Sequence, residues 1–183
     1  MKDGPSRVGV LLSTFNGERY LSQQLDSLLA QQGVVVDIYV RDDGSTDSTR
    51  EILRDYSNRY TNIHILIGCN IGFIRSFVEL LSRGGSAEYY AFCDQDDVWL
   101  PEKLYRAVDK LSSLRDKSMP AMYFSRTEYV DEDLKHIGYS PVLTKSKLGF
   151  GNAIVQNVAT GCTIVFNSSA RGLCIESLPE VCM

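Results

Sequence analysis

The chain has 183 residues, enough for one domain with an apolar core and too few to presume two. With 44 % apolar and 23 % charged residues it is neither a disordered nor a fibrous sequence. Its 19 Lys and Arg are scattered among 23 acids for a net charge of −4, which argues against a broad nucleic-acid-binding face. The five cysteines form no CxxC pair and no zinc-type spacing with His64 or His136. Their odd number, with no secretory signal, predicts reduced thiols in a cytoplasmic setting. No stretch approaches the roughly 20 apolar residues of a membrane span.

In chain order, Val8 to Leu12 is a short apolar run predicting a strand, followed by the polar turn Ser13-Thr14-Phe15-Asn16-Gly17. Leu21, Leu25, Leu28 and Leu29 then fall on one stripe of an amphipathic helix that Gly33 can end. The β-branched run Val34 to Val40 predicts a second strand, stopping at Asp42-Asp43-Gly44-Ser45. Ser48-Thr49-Arg50-Glu51 has the form of a capping box opening a helix through Ile52, Leu53 and Tyr56. Ile63 to Ile67 is the third strand, and Phe73, Ile74, Phe77, Leu80 and Leu81 mark the third helix. Tyr89 to Cys93 is a strand that runs into Asp94-Gln95-Asp96-Asp97, and Pro101 suits the first turn of a helix carrying Leu104, Val108 and Leu111. Met122 to Ser125 and Thr163 to Phe166 read as further strands, with a looser, Gly- and Lys-containing stretch from Tyr139 to Val158 between them.

Strand, loop and helix repeated in this way predict an α/β fold, a mostly parallel sheet flanked by helices. Such sheets bind ligands at the carboxyl ends of their strands. Three polar clusters, Ser13–Gly17, Asp42–Ser45 and Asp94–Asp97, each follow a predicted strand, so all three can converge on one crevice.

Three carboxylates within four residues, at Asp94, Asp96 and Asp97, repel one another and call for a compensating cation. A hard divalent ion, Mg²⁺ or Mn²⁺, takes one or two carboxylates with substrate phosphates completing its shell. The competing reading is a solvated acidic turn in which Asp97 caps the next helix. Asp42 or Asp43 could accept from a base N–H or a ribose hydroxyl, or could belong to a capped loop. Asn70-Ile71-Gly72 opens the third helix, whose free N–H groups and Arg75 could meet a phosphate, or could be an Asn cap beside a surface Arg. There is no GxxxxGK[ST] loop and no GxGxxG after the first strand.

Together these segments resemble the family 2 glycosyltransferases, whose GT-A fold is a Rossmann-like nucleotide-binding sheet. The resemblance spans nearly the whole chain as one domain, residues 1–183. It rests on Ser13-Thr14-Phe15-Asn16-Gly17, on Val40 to Asp47, on Asn70-Ile71-Gly72, and on the DxD-like run from Asp94 to Leu104. It implies that Ser13, Thr14, Phe15, Asn16, Asp42, Asp43, Asn70, Arg75 and Asp94 bind a nucleotide-sugar, with Phe15 on the base and Asp43 on its edge. Asp94 and Asp96 would hold Mn²⁺ or Mg²⁺. The longer string from Asp94 to Lys103, with Gln156-Asn157 and Thr160-Gly161-Cys162-Thr163 later, looks most like the rhamnosyltransferase-type branch.

The implied reaction is an inverting transfer of a sugar, rhamnose in that branch, from a dTDP-, UDP- or GDP-sugar. The acceptor would be a saccharide or lipid-linked saccharide in bacterial cell-surface polysaccharide or O-antigen synthesis. The charge balance predicts no nucleic-acid partner, and a cytoplasmic setting leaves room for peripheral association of the full-length protein with the inner face of the membrane. The family's carboxylate base would be expected beyond Met183, because neither Glu176 nor Glu180 sits in the expected motif; the chain would then be a truncated piece. The alternatives are a non-catalytic nucleotide-binding module and a receiver-type signalling domain.

Overall fold

A computed structural model describes residues 4–142 and 159–178. Most of the loose stretch from Tyr139, together with Gln156-Asn157 and Glu180, lies outside the described residues. Four apolar segments form strands β1 (Arg7–Thr14), β2 (Val35–Asp42), β3 (Ile63–Ile67) and β4 (Tyr89–Cys93). Helices α1 (Leu21–Leu29), α2 (Thr49–Arg59) and α3 (Phe73–Arg83) connect them, and α4 (Lys103–Ser112) follows β4. Beyond it come β5 (Met122–Tyr123), the antiparallel pair β6 (Glu128–Val130) and β7 (His136–Tyr139), a 3₁₀ turn at Gly161–Thr163, β8 (Val165–Asn167) and helix α5 (Ser168–Glu176).

The main sheet has the order β3-β2-β1-β4-β8-β5, and only β8 runs against its neighbours. The expected mostly parallel sheet flanked by helices is therefore present. Strand β1 is central and buried on both faces. Val8, Val10 and Leu12 point into a core with Leu21, Leu25, Leu53, Leu104 and Val108 from α1, α2 and α4. Leu11 points the other way, with Leu80 and Leu81 of α3 and Phe166. Gly9 leaves room for a ring on that second face: a Cβ there would lie 3.0 Å from Cδ1 of Tyr90.

Because β2 and β4 flank β1 on opposite sides, connections leave its carboxyl end in opposite directions, and a crevice opens there. Helix α5 is tied down by Arg171, whose guanidinium donates to the carbonyls of Leu81, Ser82, Gly84 and Gly85 at the end of α3. A cation at a helix carboxyl terminus satisfies orphan acceptors and complements the dipole. No helix among the described residues is long and apolar enough to cross a membrane.

Several local expectations shift. Ser13 and Thr14 belong to β1 rather than to the turn after it. The Ser48 hydroxyl makes no cap bond; the Thr49 N–H donates instead to Oδ1 of Asp47 at 3.0 Å, a charged and therefore stronger acceptor. Pro101 lies before α4, which starts at Lys103 with its Leu104 N–H capped by the side chain of Gln31, just past the end of α1 (3.1 Å). The strand expected at Met122 to Ser125 shrinks to two residues, and that expected at Thr163 to Phe166 begins as a 3₁₀ turn.

Candidate functional site

The loops after β1, β2, β3 and β4 meet at one end of the sheet and enclose a pocket of about 480 Å³. Its wall takes Ser13 from the end of β1, Phe15 from the first loop, Asp43 from the second, Asn70 and Gly72 from the third, and Asp94, Gln95 and Asp96 from the fourth. Phe15 is 44 % exposed, an uncovered ring at the rim of a polar pocket. Such a ring offers a stacking face to a planar base.

Most of the loop polar groups hold one another. Thr14 Oγ1 and the Phe15 N–H both donate to Gln95 Oε1, at 2.7 and 2.9 Å, so Gln95 clips the fourth loop to the first. Asn16, at φ 49°, donates its N–H to Ser45 Oγ and accepts from the Thr46 N–H, each at 2.9 Å. Ser13 Oγ shares a 2.6 Å hydrogen bond with Ser76 Oγ on α3. Gly44, at φ 88°, lies so close to the third loop that a Cβ would come within 2.8 Å of the Asn70 nitrogen. That position requires glycine.

The first acidic pair is neutralised within the protein. Asp42 is fully buried and accepts from Arg50 Nε at 2.7 Å and from the Ser45 N–H at 3.3 Å. Asp43, 3 % exposed, pairs with the Arg41 guanidinium and accepts from the N–H groups of Ile71 (2.8 Å) and Gly72 (2.9 Å) at the entry to α3. Arg41 is itself buried and donates also to Glu79 Oε2 at 2.6 Å. Burial presses the Arg41 pKa down, but its bonds to Glu79 and Asp43 prevail and raise it.

The second acidic cluster differs. Burial holds the Asp94 carboxyl above the usual range, and the charges of Asp97 and Asp96 push it further. Burial also raises Asp97, against the lowering effect of its hydrogen bond with Cys162 and of the Lys103 charge. The Lys103 ammonium sits 3.1 Å from the centroid of the Trp99 ring and donates to the Cys162 carbonyl; burial pushes its pKa down to about 8. Ligand atoms of Asp94, Asp97 and Cys162 lie within 4.8 Å of one another, and Asp97 Oδ2 is buried without a hydrogen-bond partner. An orphaned carboxylate oxygen beside a second repelled carboxylate suits a hard divalent cation. The Cys162 thiol, pushed up to about 12 chiefly by burial, stays protonated and is a poor ligand for such an ion.

Of the residues expected at the site, the pocket gathers Ser13, Phe15, Asp43, Asn70, Asp94 and Asp96. It does not include Thr14, Asn16 or Asp42, which support the loops from behind, nor Arg75, which is exposed on α3. The physical reason is helical: Ser76, about 100° further round, takes the inward position against Ser13, and Asp43 already occupies the amides leading into α3. Gln95, Phe73 and Phe77 line the pocket without having been singled out in the sequence. Arg41, a cation near the end of β2 and next to two acids, was the legible sign that one carboxylate would be paired inward.

A sheet that changes connection direction at a polar pocket, with an acidic strand-end loop beside it, defines an α/β domain with its candidate site at the carboxyl edge of the parallel strands. Residues 9–172 match the glycosyl transferase family 2, and the chain belongs to that family. Over 105 residues, 55 % of this chain and 36 % of the relative, it is 34 % identical to a dTDP-rhamnosyl transferase of Shigella flexneri. An uncharacterised glycosyltransferase of Rickettsia felis is 25 % identical over 94 % of this chain and 29 % of its own. Among solved structures, S. aureus TarS in complex with UDP is 28 % identical with a TM-score of 0.52, over 58 % of this chain and 33 % of that one. TarS in complex with UDP-GlcNAc has a TM-score of 0.65 over 88 % of this chain and 45 % of that one, at 20 % identity. The fold is thus the GT-A fold of glycosyltransferases. The chain spans about a third of the length of the curated relatives it matches.

Proposed function

We propose that this chain binds the nucleotide-sugar donor of an inverting glycosyltransferase, with the nucleotide in the 480 Å³ pocket and a divalent cation on Asp94 and Asp96. The observation that carries this reading is the convergence of four strand-end loops on one pocket that has an exposed aromatic rim and two uncompensated carboxylates. In this reading Phe15 stacks on the base, Ser13 and Asn70 bond the nucleoside, and Asp43 presents a fixed acceptor face. Asp94 and Asp96 both line this pocket, whereas Asp97 lines only the larger neighbouring cleft. Asp97, whose unpartnered Oδ2 lies beside Asp94, is a further carboxylate within reach of that cation.

When bound, the cation stabilises charge on the leaving diphosphate. The chain's own contribution is to hold the donor still and to exclude water from its base. The anomeric carbon then faces the acceptor cleft across Asp96, the residue that lines both cavities. A saccharide or lipid-linked saccharide acceptor suits that cleft. The likeness to a dTDP-rhamnosyl transferase supports dTDP-rhamnose as donor and cell-surface polysaccharide synthesis as the setting. Titration calorimetry with UDP, dTDP and GDP, each with and without Mn²⁺, tests the reading. Metal-dependent binding of at least one nucleotide, dTDP most tightly, is expected; no metal-dependent binding of any of them sinks it.

A further inference from the structure

The donor pocket has a second uncovered aromatic ring. Phe73, the first residue of α3, lines it and is 71 % exposed, the most exposed large apolar side chain among the described residues. A ring left in water adds little to folding, and at a pocket mouth its face is open to a planar ligand. Phe77, one turn on, also lines the pocket, but its ring is already packed edge-on against Phe92, with centroids 5.3 Å apart. Phe92 in turn packs on Phe166 at 5.0 Å, so Phe77 belongs to the second core. Among the described residues no ring packs against Phe73.

Phe15 and Phe73 both stand on backbone that is held. The Phe15 N–H donates to Gln95 Oε1 at 2.9 Å. Ahead of Phe73, the N–H groups of Ile71 and Gly72 donate to Asp43, and Gly72 takes φ 83°, a conformation that favours glycine and directs the chain into α3. The two segments touch at the 2.6 Å hydrogen bond between Ser13 and Ser76 and part from there. Phe15 lies two residues beyond Ser13, about 6.6 Å of extended chain, and Phe73 three residues before Ser76, about 4.5 Å of helix. Arms diverging from one contact leave a gap, and a base touched on both faces needs rings about 7–8 Å apart. The strand order sets Asp43, just past β2, between the ends of β1 and β3, where it meets the edge of whatever fills that gap.

We propose that Phe73 is the second stacking face of the base site, so that the donor's base lies between the rings of Phe15 and Phe73. The proposal rests on the reading of this pocket as the donor site. Stacking on an aromatic ring tolerates any base, because every base has a π-face. Phe73 thus sets affinity for nucleotides as a class, and the groups at the edge choose among them.

The test uses the full chain with Mg²⁺, a diamagnetic ion that leaves ligand NMR signals sharp. Calorimetry measures affinity for dTDP and UDP, and proton NMR follows the thymine H6 and methyl signals, which a stacked ring shifts upfield. Phe73→Leu keeps an apolar side chain and should weaken both nucleotides at least about fivefold while removing roughly half of the upfield shift. Phe73→Tyr keeps the ring face and should retain both. Because the side chain is exposed, the melting temperature of either variant should match the parent's, which separates lost stacking from a lost fold. Phe73→Leu binding dTDP as tightly as the parent, or leaving the upfield shift intact, overturns the proposal, as does Phe73→Tyr binding as weakly as Phe73→Leu. A parent chain that binds neither nucleotide with metal present sinks the donor reading itself, and this proposal with it.

Discussion

The two acidic strand-end loops look alike in sequence and differ in what surrounds them. After β2, Asp42 and Asp43 are met by Arg50, Arg41 and backbone N–H groups, so both carboxylates are satisfied inside the protein. After β4, Asp94, Asp96 and Asp97 repel one another, and their nearest cation, Lys103, is committed to Trp99 and Cys162. The first loop is a scaffold whose charge is spent on positioning the pocket. In the second, burial and like charge hold Asp94 and Asp97 above the ordinary carboxylate range, and the proposed cation answers that charge. Two runs of aspartates with the same placement can therefore have opposite chemical roles, decided by what the rest of the fold brings to them.

The sharpest way to break this contrast is to strip the scaffold of its cation. Arg41→Met leaves Asp43 and Glu79 without their buried partner, and breaking a buried pair from one side costs about 3–5 kcal/mol. Chemical denaturation should show that loss, with nucleotide binding failing because the pocket loops are no longer held. Asp42→Asn comes next. It removes the charge from the bond to the partly exposed Arg50 and should cost about 1–3 kcal/mol by thermal unfolding.

In the second loop the sign reverses. The Asp94 carboxyl is held above its ordinary value, so the folded chain keeps that proton more tightly than the unfolded one. Without metal, its contribution to stability falls as pH rises from about 3.9 through the raised folded value, and stays low above it. Asp94→Asn should therefore raise the melting temperature at pH 7 and lose that advantage below the ordinary carboxylate range. A variant less stable than the parent at pH 7 would show that the charges are not repelling. The smallest stability effect is expected from Asp96→Asn. Its side chain is exposed, so the melting temperature should not move while metal-dependent nucleotide binding drops by at least tenfold.

The parallel half of the fold was legible because β1 to β4 are short apolar runs and the helices between them carry leucines at helical spacing. Of what followed α4, only the strands at Met122–Tyr123 and Val165–Asn167 were read, with shifted bounds. Every residue of β6 is exposed and β7 has only Gly138 partly covered, so neither strand shows the alternation that marks a half-buried one. Helix α5 buries no residue fully and is held by Arg171, a contact that no periodicity announces.

At the site, the placement of the acidic loops could be read from the chain, but their partners could not. Arg50 reaches Asp42 across one turn and a loop. Gln95 reaches the first loop from 80 positions away. Arg75 lies outside the pocket lining because one residue along a helix turns a side chain from the pocket to solvent, and Ser76 takes the inward position against Ser13.

The central claim is that the 94–97 loop, and not the 42–43 loop, carries the cation that grips the donor. Electron paramagnetic resonance of Mn²⁺, titrated into the chain with dTDP present, measures bound metal directly. The parent should bind one Mn²⁺ in a nucleotide-dependent way, and the double variant Asp94→Asn, Asp96→Asn should leave the ion free while retaining the fold. Mn²⁺ bound equally well by that double variant would contradict the account.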